Sequence, residues 1–186
     1  MATAKPEVYI ALLRGINVGG KNSLPMKDLA AMFEKVGCSH VTTYIQSGNV
    51  VFKADAKLAQ PIAEVISKEI KKGFKLEVPV VVRSAGELLK ISQKNPFFKK
   101  SGTVDTVHVA FLLHTPPKTA IQSLDAQRSP GDAFEVVGSE VYLHCPNGFG
   151  RTKLTNQYFD SKLGTTSTIR NWKTILKLLE MTQTGS

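Results

Sequence analysis

The order of strand-like and helix-like segments in the first half of the chain is the feature that most constrains its fold. Segments rich in β-branched and aromatic residues, typical of strands, occur at residues 7–15, 41–45, 50–52 and 78–83. Residues 25–36 and 58–72 instead space their apolar side chains at the interval of one helix face. The resulting order, β-α-β-β-α-β, predicts a ferredoxin-like, or split βαβ, half.

The second half repeats this order only in part. Its segments predict a strand, a helix and a two-stranded hairpin, followed by two helices, at residues 104–113, 116–126, 133–137 with 140–145, 152–161 and 168–181. We therefore expect an α+β fold built from two ferredoxin-like (split βαβ) halves. The second half is expected to lack its last strand and to end in two helices.

The expected domain organisation follows from this order. Residues 1–83 form the first half, residues 84–103 a helix and connector, and residues 104–186 the second half. No stretch rich in Gly and Ser, or in Pro, separates the halves as a linker would. We expect the second half to be packed against the first.

The net positive charge of the chain indicates which classes of partner it would bind. The chain has 186 residues, enough to bury a substantial core, and a net charge of +9. Excess positive charge favours acidic partners, either a phosphorylated small molecule or a nucleic acid. A scattered, solubilising surface is the alternative, because like charges occur only in short groups such as Lys71 and Lys72.

The sequence predicts a cytoplasmic protein with no membrane contact. Its longest apolar runs have strand length, and residues 1–7 are polar, unlike a signal peptide. Cys38 and Cys145 show neither a disulfide framework nor zinc-ligand spacing, so we expect free thiols, no metal site and no cofactor. No feature of the sequence specifies an oligomeric state.

The first candidate functional segment is a Gly-rich loop, residues 14–22, between the first strand and the first helix. Gly15, Gly20 and Lys21 have the spacing of a Walker A loop, but Asn22 stands where a Mg²⁺-binding Ser or Thr belongs. A P-loop, a looser anion cradle of backbone N–H groups and a plain turn are the three interpretations. The candidate ligand-binding residues are Arg14, Asn17, Gly19, Gly20, Lys21 and Asn22.

The second candidate is the turn at residues 46–49, between two strands. It is typical of a hairpin, because Gly48 and Asn49 tolerate positive φ. In a split βαβ sheet, this turn and the end of the first strand lie at the same edge. We therefore expect the candidate ligand-binding residues Gln46, Ser47 and Asn49 to face the first loop at that edge of the sheet.

A third candidate, residues 146–153, is a second Gly-rich loop that leads into a predicted helix. Arg151 and Lys153, with Thr152 between them, would stand at the start of that helix, where the helix dipole disfavours cations. Such a placement indicates an external anion, unless both side chains simply extend into water.

The fourth candidate is residues 165–172, whose hydroxyl residues would supply N-caps for the final predicted helix. Thr168, Arg170 and Asn171 are its candidate ligand-binding residues. In that helix, Arg170, Lys173 and Lys177 would form a basic stripe that either contacts phosphates or is solvated. The predicted buried stripe on another face consists of Ile169, Trp172, Ile175, Leu176 and Leu179.

Several of these segments together resemble one family. Its N-terminal signatures look like residues 12–20 and 43–50, and its C-terminal signatures look like residues 95–97, 142–144, 146–153 and 168–174. This is the mostly bacterial family catalogued as domain of unknown function 1697. The resemblance implies a two-lobed α+β fold with ferredoxin-like halves and no established activity. Cys38 stands where the family typically has an aromatic residue, which argues against a cysteine-based site.

The loops favour binding of a phosphate-containing or nucleotide-like anion. Catalysis is left open, because the sequence pairs no nucleophile with a base. The alternative is an RNA-binding module that uses a basic surface. The anion hypothesis raises the question of whether the four candidate segments converge on one cleft.

Overall fold

The computed structural model describes residues 6–101 and 103–184. The chain divides into two compact units. The first comprises the residues up to Leu89 together with those from Leu178 onward, and the second comprises Lys90–Lys177. The described residues from Leu178 onward thus belong with the first unit, although the expected second half comprises residues 104–186.

The first unit contains a four-stranded sheet in the order β2-β3-β1-β4. Every neighbouring pair in it is antiparallel. Its elements are β1 (Glu7–Leu13), α1 (Met26–Lys35), β2 (Ser39–Tyr44), β3 (Asn49–Ala54), α2 (Ala56–Ala59), α3 (Ile62–Phe74), β4 (Val80–Ser84) and α4 (Ala85–Lys94), whose last residues pass into the second unit. This is the predicted β-α-β-β-α-β order of a ferredoxin-like half.

One face of this sheet forms the core of the first unit with α1 and α3. Both helices present an apolar stripe at helical spacing, so burying that stripe against the sheet drives their packing. The buried residues include Leu29 and Phe33 of α1, Ile62, Ile66 and Ile70 of α3, and Ala11, Leu13, Val50 and Phe52 of the sheet. This packing holds the ends of β1 and β3 in place for the loops beyond them.

The second predicted helix differs from the structure at both ends. Asp55 caps the short helix α2 by accepting a hydrogen bond from Leu58 N at 2.8 Å, and Pro61 separates α2 from α3. The predicted helix ends at residue 72, whereas α3 continues through Gly73. The helix continues to Phe74 and ends at Lys75, whose φ of 59° is left-handed.

The second unit contains another four-stranded antiparallel sheet, in the order β6-β7-β5-β8. Its elements after α4 are α5 (Phe98–Ser101), β5 (Val107–Leu112), α6 (Lys118–Gln122), β6 (Ala133–Val137), β7 (Glu140–His144), a 3₁₀ turn (Phe149–Arg151), α7 (Asn156–Leu163), β8 (Ser167–Asn171) and the first residues of α8 (Trp172–Thr184), which continues into the first unit from Leu178. The core on one face packs α7 against the sheet. The α+β class with two ferredoxin-like halves is confirmed.

The expectation that the second half lacks its last strand is wrong. β8 pairs antiparallel with β5, with Thr168 opposite Phe111 and Arg170 opposite Val109. The Ser and Thr residues of this segment resemble N-caps in sequence, whereas β-branched residues also suit a strand. Pairing with the central strand β5 decided the outcome, because it satisfies the backbone groups of the segment.

Among the residues that the structure describes, no helix is both long enough and apolar enough to cross a membrane.

Candidate functional site

Two of the predicted candidate segments meet at one edge of the first sheet. Leu13, the last residue of β1, donates its backbone N–H to Gly48 O at 2.8 Å. The side-chain Nδ2 of Asn17 donates to Gln46 O at 2.9 Å. We call residues 14–24 and 44–49 the rim. The split βαβ topology predicts this meeting from sequence.

Residues 18–21 of the rim form a tight two-residue turn. Val18 and Lys21 pair as an isolated antiparallel bridge, and Lys21 N donates to Val18 O at 3.0 Å. Gly19 and Gly20 between them have φ values of 57° and 74°. Positive φ at both central residues is typical of a type I′ turn, which glycine adopts without strain.

Two asparagines hold this turn in place. Asn17 Oδ1 accepts from Leu24 N at 2.8 Å, and its Nδ2 donates to Leu24 O and Gln46 O, both at 2.9 Å. Asn22 Nδ2 donates to Gly15 O at 2.8 Å. Both asparagines have left-handed φ, which Asn tolerates better than most residues. The amide of Asn17 is therefore used within the protein, and its role at the rim is to position the loop.

The rim is not a P-loop. In a P-loop the Lys lies at the start of the helix that follows, and the preceding strand belongs to a parallel sheet. Here β1 is antiparallel to both of its neighbours, and α1 begins at Met26, well beyond Lys21. The intervening residues close into a hairpin, so the Walker-like spacing is coincidental.

The turn after β2 is tightly packed beneath the exposed part of the rim. Asn49 is fully buried, and its Nδ2 donates to Tyr44 O and Ser47 Oγ, both at 3.0 Å. A Cβ at Gly48 would lie 2.7 Å from Leu13 Cβ and 2.8 Å from Ile16 Cδ1. Gly48 and Asn49 are therefore buried residues that support the exposed part of the rim.

The exposed part of the rim combines a cation, open backbone and apolar side chains. Lys21 and Asn22 are exposed, as are both glycines of the turn. A Cβ added at Gly19 or Gly20 would meet no heavy atom within 4 Å, so the space beside the turn is open. Val18 and Ile45 are exposed to 64% and 50%. Neither apolar residue is predicted from the sequence, because an isolated Val or Ile in a polar loop gives no signal of its exposure.

The third candidate segment lies in the second unit and does not begin a helix. Thr155 caps α7, with its Oγ1 accepting from Tyr158 N at 3.2 Å, so Arg151 and Lys153 precede the helix. The expectation that these cations face the dipole at a helix start is therefore wrong. Lys153 N donates to Ser129 Oγ at 3.1 Å, which anchors the loop from the backbone.

The side chain of Thr152 in the same loop accepts from Leu154 N at 3.1 Å. Phe149 stacks on His108 with 4.3 Å between ring centroids. Burial lowers the pKa of His108, which keeps the imidazole neutral at physiological pH. These contacts show that packing and hydrogen bonds within the second unit hold the loop in place.

The fourth candidate segment is largely buried in the second unit. Thr168 and Arg170 lie within β8, and Arg170 Nη1 donates to Thr168 Oγ1 at 2.8 Å and to Ile169 O at 3.0 Å. Burial lowers the pKa of Arg170 to about 10, so the guanidinium keeps its charge at neutral pH.

The predicted stripes of the last helix are corrected accordingly. Arg170 precedes α8 and is buried, so it does not form an exposed basic stripe with Lys173 and Lys177. Asn171 Oδ1 accepts from Thr174 N at 2.7 Å and caps α8. Leu176 is exposed, and Leu178 is buried in its place.

The two thiols show no sign of activation. Cys38 and Cys145 are free and buried, and burial raises the pKa of each to about 11. A reactive cysteine has a lowered pKa and solvent access. Within residues 6–101 and 103–184, no three His, Cys, Asp or Glu side chains are grouped so that they could hold a metal ion.

A cavity of about 480 Å³ lies at the opposite edge of the first sheet. It is lined by Pro6, Glu7, Val8, Lys53, Ser84, Ala85, Gly86 and Thr182. Ser84 and Glu87 hydrogen bond reciprocally as a capping box: Ser84 N donates to Glu87 Oε2, and Glu87 N donates to Ser84 Oγ. Since these polar groups serve the start of α4, the rim is the stronger candidate.

Comparisons with known proteins concern the family and the fold. No curated protein matches the chain. Among solved structures, the conserved bacterial protein SP0830 from Streptococcus pneumoniae is similar, with a TM-score of 0.72 and 21% identity over 96% of this chain and 99% of that chain. At this identity the likeness shows a shared fold. Residues 7–142 match the family described as "Protein of unknown function (DUF1697)", and the chain belongs to that family.

Proposed function

We propose that the rim of the first unit binds the phosphate group of a small molecule. The observation that carries this proposal is the turn at residues 18–21, where Lys21 stands beside two glycines with open space around them. In a two-residue turn, the N–H groups of the central residues lie outside the turn's own hydrogen bond. Gly19 and Gly20 thus offer backbone donors next to a cation, which is the chemistry of an anion cradle.

Pre-organisation supports the proposal. Ordering a flexible loop on binding costs free energy, whereas this loop is already held by Asn17 and Asn22. Lys21 adds a charge that no acidic side chain neutralises within the part of the chain that the structure describes. Arg14, half-buried at the start of the loop, adds a second positive charge to this edge.

Titration calorimetry of the full chain with inorganic phosphate at low salt tests the proposal. We expect saturable binding that weakens about tenfold in Lys21→Ala, since a charge-assisted contact is worth about 1.5 kcal/mol or more. Lys57→Ala is the matched control, because Lys57 is an exposed lysine in α2, at the other edge of the same sheet. Equal affinity in both variants, or no binding by the wild type, would contradict the proposal.

RNA binding is the alternative function, and its support is weaker. The stripe on which it rested retains Lys173 and Lys177 without Arg170, which is buried in β8. Retention on immobilised RNA that falls steeply with salt, in a protein that shows no phosphate binding, would favour it over the anion site.

A further inference from the structure

The apolar part of the rim is unusual for this protein. Val18 and Ile45 are the two most exposed large hydrophobic side chains among the residues that the structure describes, at 64% and 50%. Each is adjacent in sequence to the Asn17–Gln46 hydrogen bond that joins the two loops. Isolated exposed hydrophobic residues need no explanation, but here two of them lie on loops that a hydrogen bond joins, at the edge of the sheet that also carries Lys21.

Val18 and Lys21 are neighbours by backbone pairing. They stand opposite each other in the antiparallel bridge that closes the turn. Residues directly opposite in such a pair present their side chains on the same face. The charge of Lys21 and the apolar surface of Val18 therefore lie side by side, so one ligand could contact both.

Ile45 occupies a backbone conformation that works against stability. Its φ of 48° lies in the left-handed region, where a β-branched side chain is a genuine outlier. Because half of the side chain is exposed, packing offsets this strain only in part. Strained backbone is concentrated at functional sites, where the surrounding structure maintains it.

We infer that the ligand of the rim is a nucleoside monophosphate, with its phosphate at Gly19, Gly20 and Lys21 and its base against Val18 and Ile45. This inference rests on the proposed phosphate site and specifies the class of its ligand. A planar base has an apolar face that covers aliphatic side chains, and its phosphate complements Lys21. Inorganic phosphate satisfies only the polar part of this arrangement.

Three probes separate the parts of the site: inorganic phosphate, ribose 5-phosphate and adenosine monophosphate, each titrated into the full chain. We expect the mononucleotide to bind about tenfold more tightly than ribose 5-phosphate, because it alone covers the apolar surface. Val18→Ser and Ile45→Ser should reduce its affinity toward that of ribose 5-phosphate, while phosphate binding is unchanged. Leu176→Ser, which alters an exposed leucine of α8, is the control and should have no effect.

The outcomes distinguish this inference from the proposed function. If phosphate binds through Lys21 but adenosine monophosphate binds no more tightly than ribose 5-phosphate, the nucleotide inference is overturned and the phosphate site stands. If neither Val18→Ser nor Ile45→Ser weakens mononucleotide binding, the base does not lie on this surface and the inference also fails. If no probe binds, or binding is indifferent to Lys21→Ala, both proposals fail.

Ile45→Asn supplies a readout that a purely structural residue would not give. Asparagine adopts left-handed φ more readily than isoleucine, so we expect the thermal midpoint to rise by roughly 2–4 °C. The same variant should bind adenosine monophosphate more weakly. A rise in the midpoint with unchanged mononucleotide affinity would show that the strain at Ile45 does not serve the ligand, which overturns the inference.

Discussion

Single residues decide whether the rim forms at all, and Gly48 is the clearest case. A Cβ there would lie within 3 Å of Leu13 and Ile16, and the φ of 78° disfavours any L side chain. We expect Gly48→Ala to lower the free energy of unfolding by about 3 kcal/mol, from overpacking and backbone strain together. Urea denaturation followed by circular dichroism measures this change.

Gly150→Ala is the matched control for Gly48→Ala. Gly150 lies in the 3₁₀ turn, and a Cβ there would have no neighbour within 4 Å. Its effect should stay within about 0.5 kcal/mol, as for most surface substitutions. Similar losses in both variants would contradict the close packing at Gly48.

Residue roles at the rim could be predicted only in part. The sequence identified Asn17, Gln46 and Asn49 as polar groups of one edge, and the structure places them there. Their hydrogen bonds show that Asn17 and Asn49 hold the loops. Residue type alone does not distinguish an amide that binds a ligand from one that satisfies nearby backbone, because both uses need the same donors and acceptors.

At the scale of elements, helix starts were the least predictable feature. α7 begins at Asn156 and α8 at Trp172, several residues later than the sequence predicts. Cations before α7 and hydroxyl residues before α8 do not by themselves show where a helix begins, because the start depends on which residue acts as the cap. The segment before α8 forms the strand β8 because it pairs with the side of β5 that β7 does not occupy.

Asn171 terminates β8 and caps α8, so its substitution tests both elements. Asn171→Ala removes the acceptor for Thr174 N and should lower the free energy of unfolding by about 1 kcal/mol. Asn171→Ser keeps an acceptor and should lose only a few tenths of this amount. Chemical denaturation of the three proteins gives the comparison; equal stability of the Ala and Ser variants would show that the cap contributes nothing.

At the scale of the whole molecule, each unit contains one buried thiol that reports on its integrity. The pKa values of Cys38 and Cys145, raised to about 11, keep both thiols protonated at pH 8. We expect slow reaction with a thiol reagent in the native protein and rapid reaction of both thiols in guanidinium chloride. Rapid native reaction at either position would mean that its unit opens readily.

The same pKa shifts predict how stability depends on pH. Each thiol ionises near its ordinary pKa of about 8.5 in the unfolded chain and only near 11 when folded. Below about pH 8.5 each thiol is mostly protonated in both states, so its burial does not make stability depend on pH. As pH rises through the window from about 8.5 to 11, the unfolded state gains by ionising and stability falls.

The sequence by itself determined the class of fold and one edge of the first sheet. Apolar periodicity and turn residues specify local elements, and the split βαβ order then leaves little freedom in how the strands of that half pair. This is why the meeting of the first two loops at the rim was predictable from topology.

Only the tertiary structure decided the status of β8, the burial of Arg170, and the exposure of Val18 and Ile45. Each of these three features depends on which residues, distant in sequence, pack beside the segment. The local sequence does not directly specify those neighbours. β8 exists because β5 pairs with it, and Arg170 is buried because it lies in that strand. Ile45 is held in a strained conformation by a turn whose geometry Gly48 and Asn49 impose from the core.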